Sequence, residues 1–113
     1  MLYKSHQNNL PIGKPIWGFA YKVDNETNRA VLKQTPVLGI IDGKSSYHTQ
    51  FTPFSKTNPK QLAKSKTVNA SARTYADTEQ EAIDAYNELV QKRIDTLNAL
   101  IIEANNDFLP IKA

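Results

Sequence analysis

Apolar residues follow a regular helical pattern in the last third of the chain, between Ala76 and Ala104. They recur every three or four positions, which places them along one side of an α-helix. Thr78 and Glu81 have the spacing of a capping box, in which side chains satisfy free backbone N–H groups at the helix start. The pattern therefore predicts one long amphipathic helix over residues 77–105. Its apolar positions are Ala82, Ile83, Tyr86, Leu89, Val90, Ile94, Leu97, Leu100, Ile101 and Ala104.

Earlier in the chain, apolar and polar residues alternate in short stretches, as they do in β-strands. The predicted strands are 16–23, 29–35, 37–41 and 45–52, followed by 67–76. Pro36 is expected to separate the second strand from the third, and the short connections favour antiparallel pairing. We therefore predict an α+β fold: an antiparallel sheet of four to five strands packed against one long C-terminal helix. One form that this sheet can take is a curved half-barrel.

The first predicted strand has two different faces. Trp17, Phe19 and Tyr21 lie on one face, and these aromatic residues are predicted to be core rather than a platform for stacking bases. Gly18 and Ala20 lie on the other face. Because both are small, this face is suited to the close approach of another element.

Three regions lie outside the predicted sheet and helix of this single domain of 113 residues. Residues 1–15 are polar and contain two prolines, so we expect an N-terminal arm. Residues 53–66 follow the β-rich part and are predicted to form a mobile lysine-rich loop. Residues 106–113 form a tail, and its apolar part, 108–111, is expected to fold back over the end of the helix.

Charge is divided unevenly along the chain. Residues 1–76 contain eleven Lys or Arg and three Asp or Glu, whereas residues 77–113 contain eight acids and three bases. One interpretation is intramolecular, with a basic body beside an acidic helix and both faces solvated. The other is that part of the basic region contacts phosphates or an acidic protein surface.

Several chemistries have no support in the composition. There is no cysteine, the two histidines (His6 and His48) are far apart, and four glycines form no phosphate-binding loop. Asp84 and Glu88 lie one helical turn apart, which is the usual appearance of a solvated helix face. We therefore predict no enzyme, no cofactor and no metal site.

The expected compartment is the cytoplasm, since no apolar run approaches the length of about 20 residues that spans a bilayer. The first residues also lack the apolar core of a signal peptide. Lysine and asparagine are abundant, which is typical of an AT-rich genome such as that of a low-GC bacterium or a phage. In a virus the compartment would be the cytoplasm of the host.

A nucleic-acid-binding function is one of two predictions. Lysines spaced along a loop can follow a phosphate backbone, and neighbouring aromatic residues can stack on bases. The candidate residues are Lys56, Lys60, Lys64, Lys66, Arg73 and Phe54.

Around the start of the helix, Arg73-Thr74-Tyr75 is followed by Thr78-x-x-Glu81-Ala82-x-x-Ala85-Tyr86-Asn87. This stretch of about 15 residues resembles the strand-to-helix junction of AP2-type DNA-binding domains. The resemblance implies a three-stranded sheet that reads DNA and is backed by a helix. The arginine-rich strands of that family are not present here, because only Arg29 and Arg73 precede the helix, so no base-reading residues are assigned.

Protein binding is the other prediction, and it rests on the end of the helix. Ile102 lies seven residues after Asp95 and so falls on the acidic side, which makes the helix end apolar in nearly all directions. Either the tail covers it, or a partner does: a second copy of the chain or another protein. The candidate residues are Leu100, Ile101, Ile102, Phe108 and Leu109. A small inhibitor or modulator of another protein, encoded by a phage, is our leading prediction.

Overall fold

The computed structural model describes residues 1–5, 10–43, 49–70 and 73–111. They form a six-stranded antiparallel sheet and one long helix, which confirms the predicted α+β class. The strands are β1 (Leu2–Lys4), β2 (Pro15–Val23), β3 (Ala30–Asp42), β4 (Gln50–Pro53), β5 (Val68–Asn69) and β6 (Thr74–Ala76), and the helix is α1 (Glu79–Asn105). Across the sheet the order is β1-β6-β2-β3-β4-β5. Histidines 6 and 48 and the first part of the predicted strand 45–52 lie outside the described residues.

Strand β3 is one continuous strand of 13 residues, so the expected break at Pro36 is wrong. Val37 pairs with Gly18 and Gln34 pairs with Ala20, so β3 has one extra residue between these two pairs. Such a bulge leaves one residue without its ladder hydrogen bond. Pro36 falls inside it, where a residue without an N–H group is tolerated. The two strands predicted over 29–35 and 37–41 are therefore a single bulged strand.

Part of the expected N-terminal arm belongs to the sheet. Residues 2–4 form β1, which pairs with β6 and places Tyr3 opposite Tyr75. Tyr3 is buried there, and its hydroxyl donates to the carboxylate of Asp77 at 3.2 Å. The predicted strand 67–76 is likewise divided between β5 and β6, which lie at different positions in the sheet. These two short pairings bring the strand number to six.

The sheet is curved, as the short connection between β5 and β6 requires. Three strands separate β5 from β6, a distance of about 19 Å across a flat sheet. Asn69 and Thr74 are five residues apart, so the chain between them spans at most about 18 Å. The hydroxyl of Tyr75 in β6 donates to the carbonyl of Ala70 just after β5 at 2.8 Å, which ties the two sides together over the concave face.

Large side chains fill the concave face because the strands beneath them carry glycine. A Cβ atom on Gly39 would lie 2.6 Å from the ring of Phe51, and one on Gly18 would lie 3.0 Å from the ring of Tyr75. The close approach predicted for this face occurs at Gly18, where the rings of Tyr75 and Phe51 lie against the strand. The buried residues of this core are Tyr3, Ile16, Ile41, Phe51, Ala70 and Tyr75.

The convex face packs against α1 and forms a second core. Phe19, Ala76 and Ala82 are buried between the sheet and the helix, with Trp17, Ala85, Tyr86 and Leu89 around them. The ring of Tyr86 makes edge contacts with Phe19 at 6.4 Å and with Tyr21 at 5.3 Å between centroids. The prediction that Trp17, Phe19 and Tyr21 are core is confirmed.

The start of α1 has the predicted Thr78 cap, but the Glu81 carboxylate accepts from the Thr78 hydroxyl and not from a backbone N–H. The Thr78 hydroxyl accepts from the backbone N–H of Glu81 at 3.2 Å and donates to the carboxylate of the same residue at 2.9 Å. That carboxylate also contacts the Met1 ammonium, which lies 3.6 Å from Asp77 as well. The carboxylates at the positive end of the helix dipole thus attach the first strand to the helix.

Candidate protein-interaction surface

The helix is longer than the sheet that supports it. Its 27 residues extend over about 40 Å. The radius of gyration is 18.9 Å, whereas a compact domain of this length has one of about 13 Å. The molecule is 70 Å long and only 31 × 26 Å across, because the end of α1 projects from the body.

The contact between helix and sheet ends near Arg93 and Leu97. Arg93 lies on the apolar side of α1, one turn after Leu89, and its guanidinium reaches back to the β2–β3 hairpin. It donates from Nε to the carbonyl of Asn28 at 3.0 Å and from Nη1 to the hydroxyl of Tyr21 at 3.1 Å. Leu97 is the last partly buried residue, and residues 98–111 are all exposed. We call residues 98–111 the free end.

Three consecutive apolar residues of the free end face three directions. Successive helix residues are rotated by about 100°, so Leu100, Ile101 and Ile102 cover most of the circumference of α1. Their exposed fractions are 42%, 57% and 64%. The prediction that the helix end is apolar beyond its sheet-facing stripe is confirmed, and within the described residues nothing packs over it.

The tail does not fold back, so this expectation is wrong. Phe108 and Leu109 are 81% and 87% exposed, and Ile111 is almost completely exposed. A chain reversal after a helix usually requires a left-handed residue at its C-terminus. Asn106 has instead a right-handed helical conformation with φ −73°, and Phe108 N–H donates to the carbonyl of Asn105, so the chain continues away from the body.

The electrostatic character of the free end is negative. Glu103 and Asp107 are its only charged residues, and the last turn of α1 has no basic side chain. The carbonyl groups at a helix C-terminus add a partial negative charge that a cation would normally offset. The surface therefore combines an apolar centre with an acidic border.

The candidate nucleic-acid residues are divided between two environments. Lys56, Lys60, Lys64 and Lys66 are exposed, and none of them pairs with a carboxylate in the described part of the chain. Phe54 is partly buried and forms an isolated antiparallel β-bridge with Leu62. The Ser55 N–H donates to the backbone carbonyl of Gln61 at 2.7 Å. The loop of residues 53–66 is therefore closed by its own backbone hydrogen bonds, and its mobility stays a prediction.

Arg73 belongs to the concave core rather than to the lysine surface. Its guanidinium contacts the side-chain oxygen of Gln34 and lies 5.9 Å from the ring centroid of Phe51. Partial burial lowers the pKa of Arg73, and the nearby phenol of Tyr75 acts in the opposite direction. Burial also raises the pKa of the Tyr75 phenol, so its neutral form is favoured on the concave face.

The contacts are compatible with the intramolecular interpretation of the charge division, in which the basic body lies beside the acidic helix and both faces are solvated. The described ion pairs to the start of α1 come from the Met1 ammonium, and Arg93 binds a carbonyl and a hydroxyl instead of an acid. The basic body and the acidic helix are thus largely solvated separately.

Two open clefts accompany these surfaces. One, of about 340 Å³, lies between the lysine loop and the ends of β3 and β4, and its charged residues are Asp42 and Lys64. The other, of about 240 Å³, lies beside Arg93 and Tyr21. Across the described residues, no three His, Cys, Asp or Glu side chains are grouped as metal ligands. None of the helices in that part of the chain combines the length and apolarity needed to cross a membrane.

Two features of the surface differ from the prediction. The apolar pattern predicts Ile94 on the buried stripe, and this is wrong because Ile94 is 42% exposed. It lies about 100° around α1 from Arg93, beyond the edge of the sheet contact. Arg93 is absent from the predicted candidates, although its position one turn after Leu89 on the apolar side of α1 indicates a contact with the sheet.

Comparisons with protein-family models, with curated proteins and with solved structures found no match for this chain. The three-stranded sheet implied by the AP2-like stretch does not form, since β2 and β6 belong to a six-stranded sheet.

Proposed function

We propose that this protein is a small non-enzymatic binding protein that inhibits or modulates another protein through contacts made by its free end. The observation that carries the proposal is the exposure of Leu100, Ile101 and Ile102 on a helix that projects beyond its own sheet. Large apolar side chains grouped at an exposed position are characteristic of interaction sites.

The shape of the free end supports a partner with a groove. A projecting helix that presents large apolar side chains is suited to binding in a hydrophobic groove. The tail adds Phe108 and Leu109, and aromatic anchors of this kind often dominate binding energy. Since the free end is acidic at its border, the partner should have basic residues around the groove.

The test is affinity capture from the native cell with three proteins. The first is the wild type, the second carries Ile102→Glu, Phe108→Ser and Leu109→Ser, and the control carries Val31→Glu on β3, outside the free end. All three substituted positions and Val31 are exposed, so the fold should be retained. Wild type and control are expected to capture the same protein, and the triple variant should lose it. Equal capture by the triple variant, with circular dichroism unchanged, would refute the proposal.

A second candidate function is nucleic-acid binding by the lysine loop. It is favoured by the exposure of Lys56, Lys60, Lys64 and Lys66 without acidic partners in the described residues. The participation of Arg73 has less support, because its guanidinium is engaged by Gln34 and by Phe51.

Salt dependence provides the test of this second candidate. Binding through phosphates should weaken steeply between 50 and 200 mM salt, by about 10-fold or more for a few contacts. Lys56→Gln with Lys60→Gln should reduce the affinity for a single-stranded oligonucleotide, whereas Lys22→Gln with Lys33→Gln on the β2–β3 hairpin should not. Absence of binding at low salt would exclude the function.

A further inference from the structure

One flank of α1 carries a second apolar pattern beside the one that faces the sheet. Its positions alternate in steps of four and three, which is the heptad spacing of the a and d positions in a coiled coil. They are Ile83, Asn87, Val90, Ile94, Leu97, Ile101 and Ala104. We call this set the seam. It extends over about 32 Å of the helix and includes residues from both the covered part and the free end.

The seam is accessible because it is rotated away from the sheet. The sheet contacts the side of α1 that carries Ala82, Tyr86 and Leu89. At about 100° per residue, the centre of the seam lies roughly 80° around the helix from that side. Accordingly Ile83, Val90 and Leu97 are only partly buried, and Ile94 and Ile101 are 42% and 57% exposed. In the described residues nothing packs against them from the open side.

The geometry points to a second copy of this chain as the partner of the seam, in a parallel two-stranded coiled coil. This inference rests on the proposed function, because it takes the exposed side of α1 as a protein-binding surface and names one partner for it. The seam then pairs the two copies, whereas Ile102 and the tail, on another side of the helix, remain available for a different protein.

In the second half of the seam the residue types favour two strands. Ile94 and Ile101 at a positions with Leu97 at a d position follow the preference of parallel dimers, whereas the earlier d positions carry the β-branched residues Ile83 and Val90. Asn87 occupies a further a position. A single asparagine at such a position is a known device for fixing the register and the two-stranded state.

Asn87 also decides the orientation. In a parallel pair, Asn87 of one copy faces Asn87 of the other, and the two amides can hydrogen-bond. In an antiparallel pair each a position faces a d position of the partner, so Asn87 would face an apolar residue such as Leu97 or Ala104, which would leave its amide without a partner. Burial of an unpaired amide is costly, so the parallel arrangement is preferred.

The residues beside the seam are compatible with self-pairing. In a parallel coiled coil, each g position approaches the e position of the next heptad in the partner helix. The pairs here are Glu79 with Asp84, Tyr86 with Gln91, Arg93 with Asn98, and Leu100 with Asn105. Only the first pair brings two like charges together, and both of its residues are exposed at the start of the helix.

The symmetry of the pair also leaves room for both sheets. A two-fold axis between two parallel helices relates their flanks, so a sheet on one side of the first helix corresponds to a sheet on the opposite side of the second. Because the sheet contacts α1 on one flank of the seam, the two bodies lie on opposite faces of the coiled coil.

The first test uses single cysteines, since the chain has none of its own. Asn87→Cys brings two thiols together in the parallel pair, within the separation that a disulfide requires. Ala99→Cys places them on the outside of the coiled coil. We expect a covalent dimer from Asn87→Cys under mild oxidation and little from Ala99→Cys. Equal linking of both variants, or of neither, would overturn the proposed arrangement.

The second test measures self-association of the full chain by sedimentation equilibrium. Ile94→Glu removes a buried isoleucine from each copy and should raise the dissociation constant of the dimer about 100-fold, whereas Ala99→Glu adds the same charge without this effect. A wild-type protein that stays monomeric at about 100 μM would overturn the inference.

The two proposals fail in distinguishable ways. If the chain is monomeric but the triple variant at Ile102, Phe108 and Leu109 loses a captured protein, the dimer is refuted and the proposed function stands. If Ile94→Glu dissociates a dimer but no other protein is captured through the free end, the seam is supported and the proposed function is refuted.

Discussion

The covered part of α1 and its free end both carry large apolar side chains, but only the covered part packs on the sheet. In the covered part, Ala82, Tyr86 and Leu89 pack on the sheet with the seam beside them, while the far side of the helix is acidic. In the free end, Leu100, Ile101 and Ile102 occupy successive directions and are exposed. The comparison shows that a helix packs on a sheet where its apolar residues are concentrated on the side that faces the sheet. The number of apolar residues alone does not decide whether it packs.

The largest expected difference comes from the same substitution in the two regions. Phe19→Ala removes a buried ring between the sheet and α1 and should lower the free energy of unfolding by about 3–5 kcal/mol. Phe108→Ala removes an exposed ring, so its effect should stay within about 0.5 kcal/mol. Urea denaturation followed by Trp17 fluorescence measures both. Similar losses would show that the tail is packed in solution and would remove the contrast.

Arg93 marks the boundary between the two regions, and its loss should be the next largest effect. Arg93→Ala removes hydrogen bonds to Asn28 and Tyr21 and should cost about 2 kcal/mol of unfolding free energy. Lys92→Ala, at the neighbouring exposed position, should cost much less. If the two variants are equally stable, the last anchored turn of α1 must be placed before Arg93.

High pH should act on the body but not on the free end. Burial raises the pKa of Tyr75, whereas a tyrosine in the unfolded chain titrates near 10. The folded state therefore keeps its proton longer, so stability is unaffected below about pH 9 and falls as the pH rises above about 10. Tyr75→Phe should lose about 1–2 kcal/mol at pH 7, because the Ala70 carbonyl loses its donor, and should show a smaller alkaline slope. Denaturation between pH 7 and 11 tests this, and an unchanged slope would contradict it.

The two ends of the helix should also differ, by a smaller amount. Thr78→Ala removes the side-chain cap at the sheet end and should cost about 1 kcal/mol. Asn106→Ala changes a residue that has no left-handed conformation to maintain, so a change of about 0.5 kcal/mol or less is expected. Thermal denaturation followed by circular dichroism compares the stability of the two variants. A larger loss from Asn106→Ala than from Thr78→Ala would contradict the expected difference between the helix ends.

Local patterns determine much of what can be predicted from this sequence. The cap at Thr78, the apolar side of α1 and the alternation around Trp17 are all properties of a few adjacent residues, and each is confirmed. The apolar end at Leu100–Ile102 belongs to the same class, because a shift in periodicity is visible without a structure.

Features that depend on distant residues could not be predicted. Residues 2–4 form a strand only because Thr74–Ala76 supply an edge to pair with. Pro36 stays within β3 because the bulge opposite Gly18 and Ala20 accepts it, and this depends on the register between two strands. The tail was expected to cover the helix end, but no backbone feature at Asn106 reverses the chain. In each case a correct prediction depends on whether a distant part of the chain is in contact with these residues. The local pattern does not specify that contact.

The pairing of β1 with β6 has a consequence for how the chain folds. Leu2 lies opposite Ala76, so the first strand has no partner until nearly two thirds of the chain is available, whereas the β2–β3 hairpin closes over a short turn. Contacts between residues this far apart slow folding because a long loop must be ordered before they form. We expect the hairpin to form early and β1 to join last, so that Tyr3→Ala accelerates unfolding while leaving the refolding rate nearly unchanged in stopped-flow experiments. The N-terminal strand would then act as the closing step of folding, which joins the start of the chain to the strand that leads into its helix.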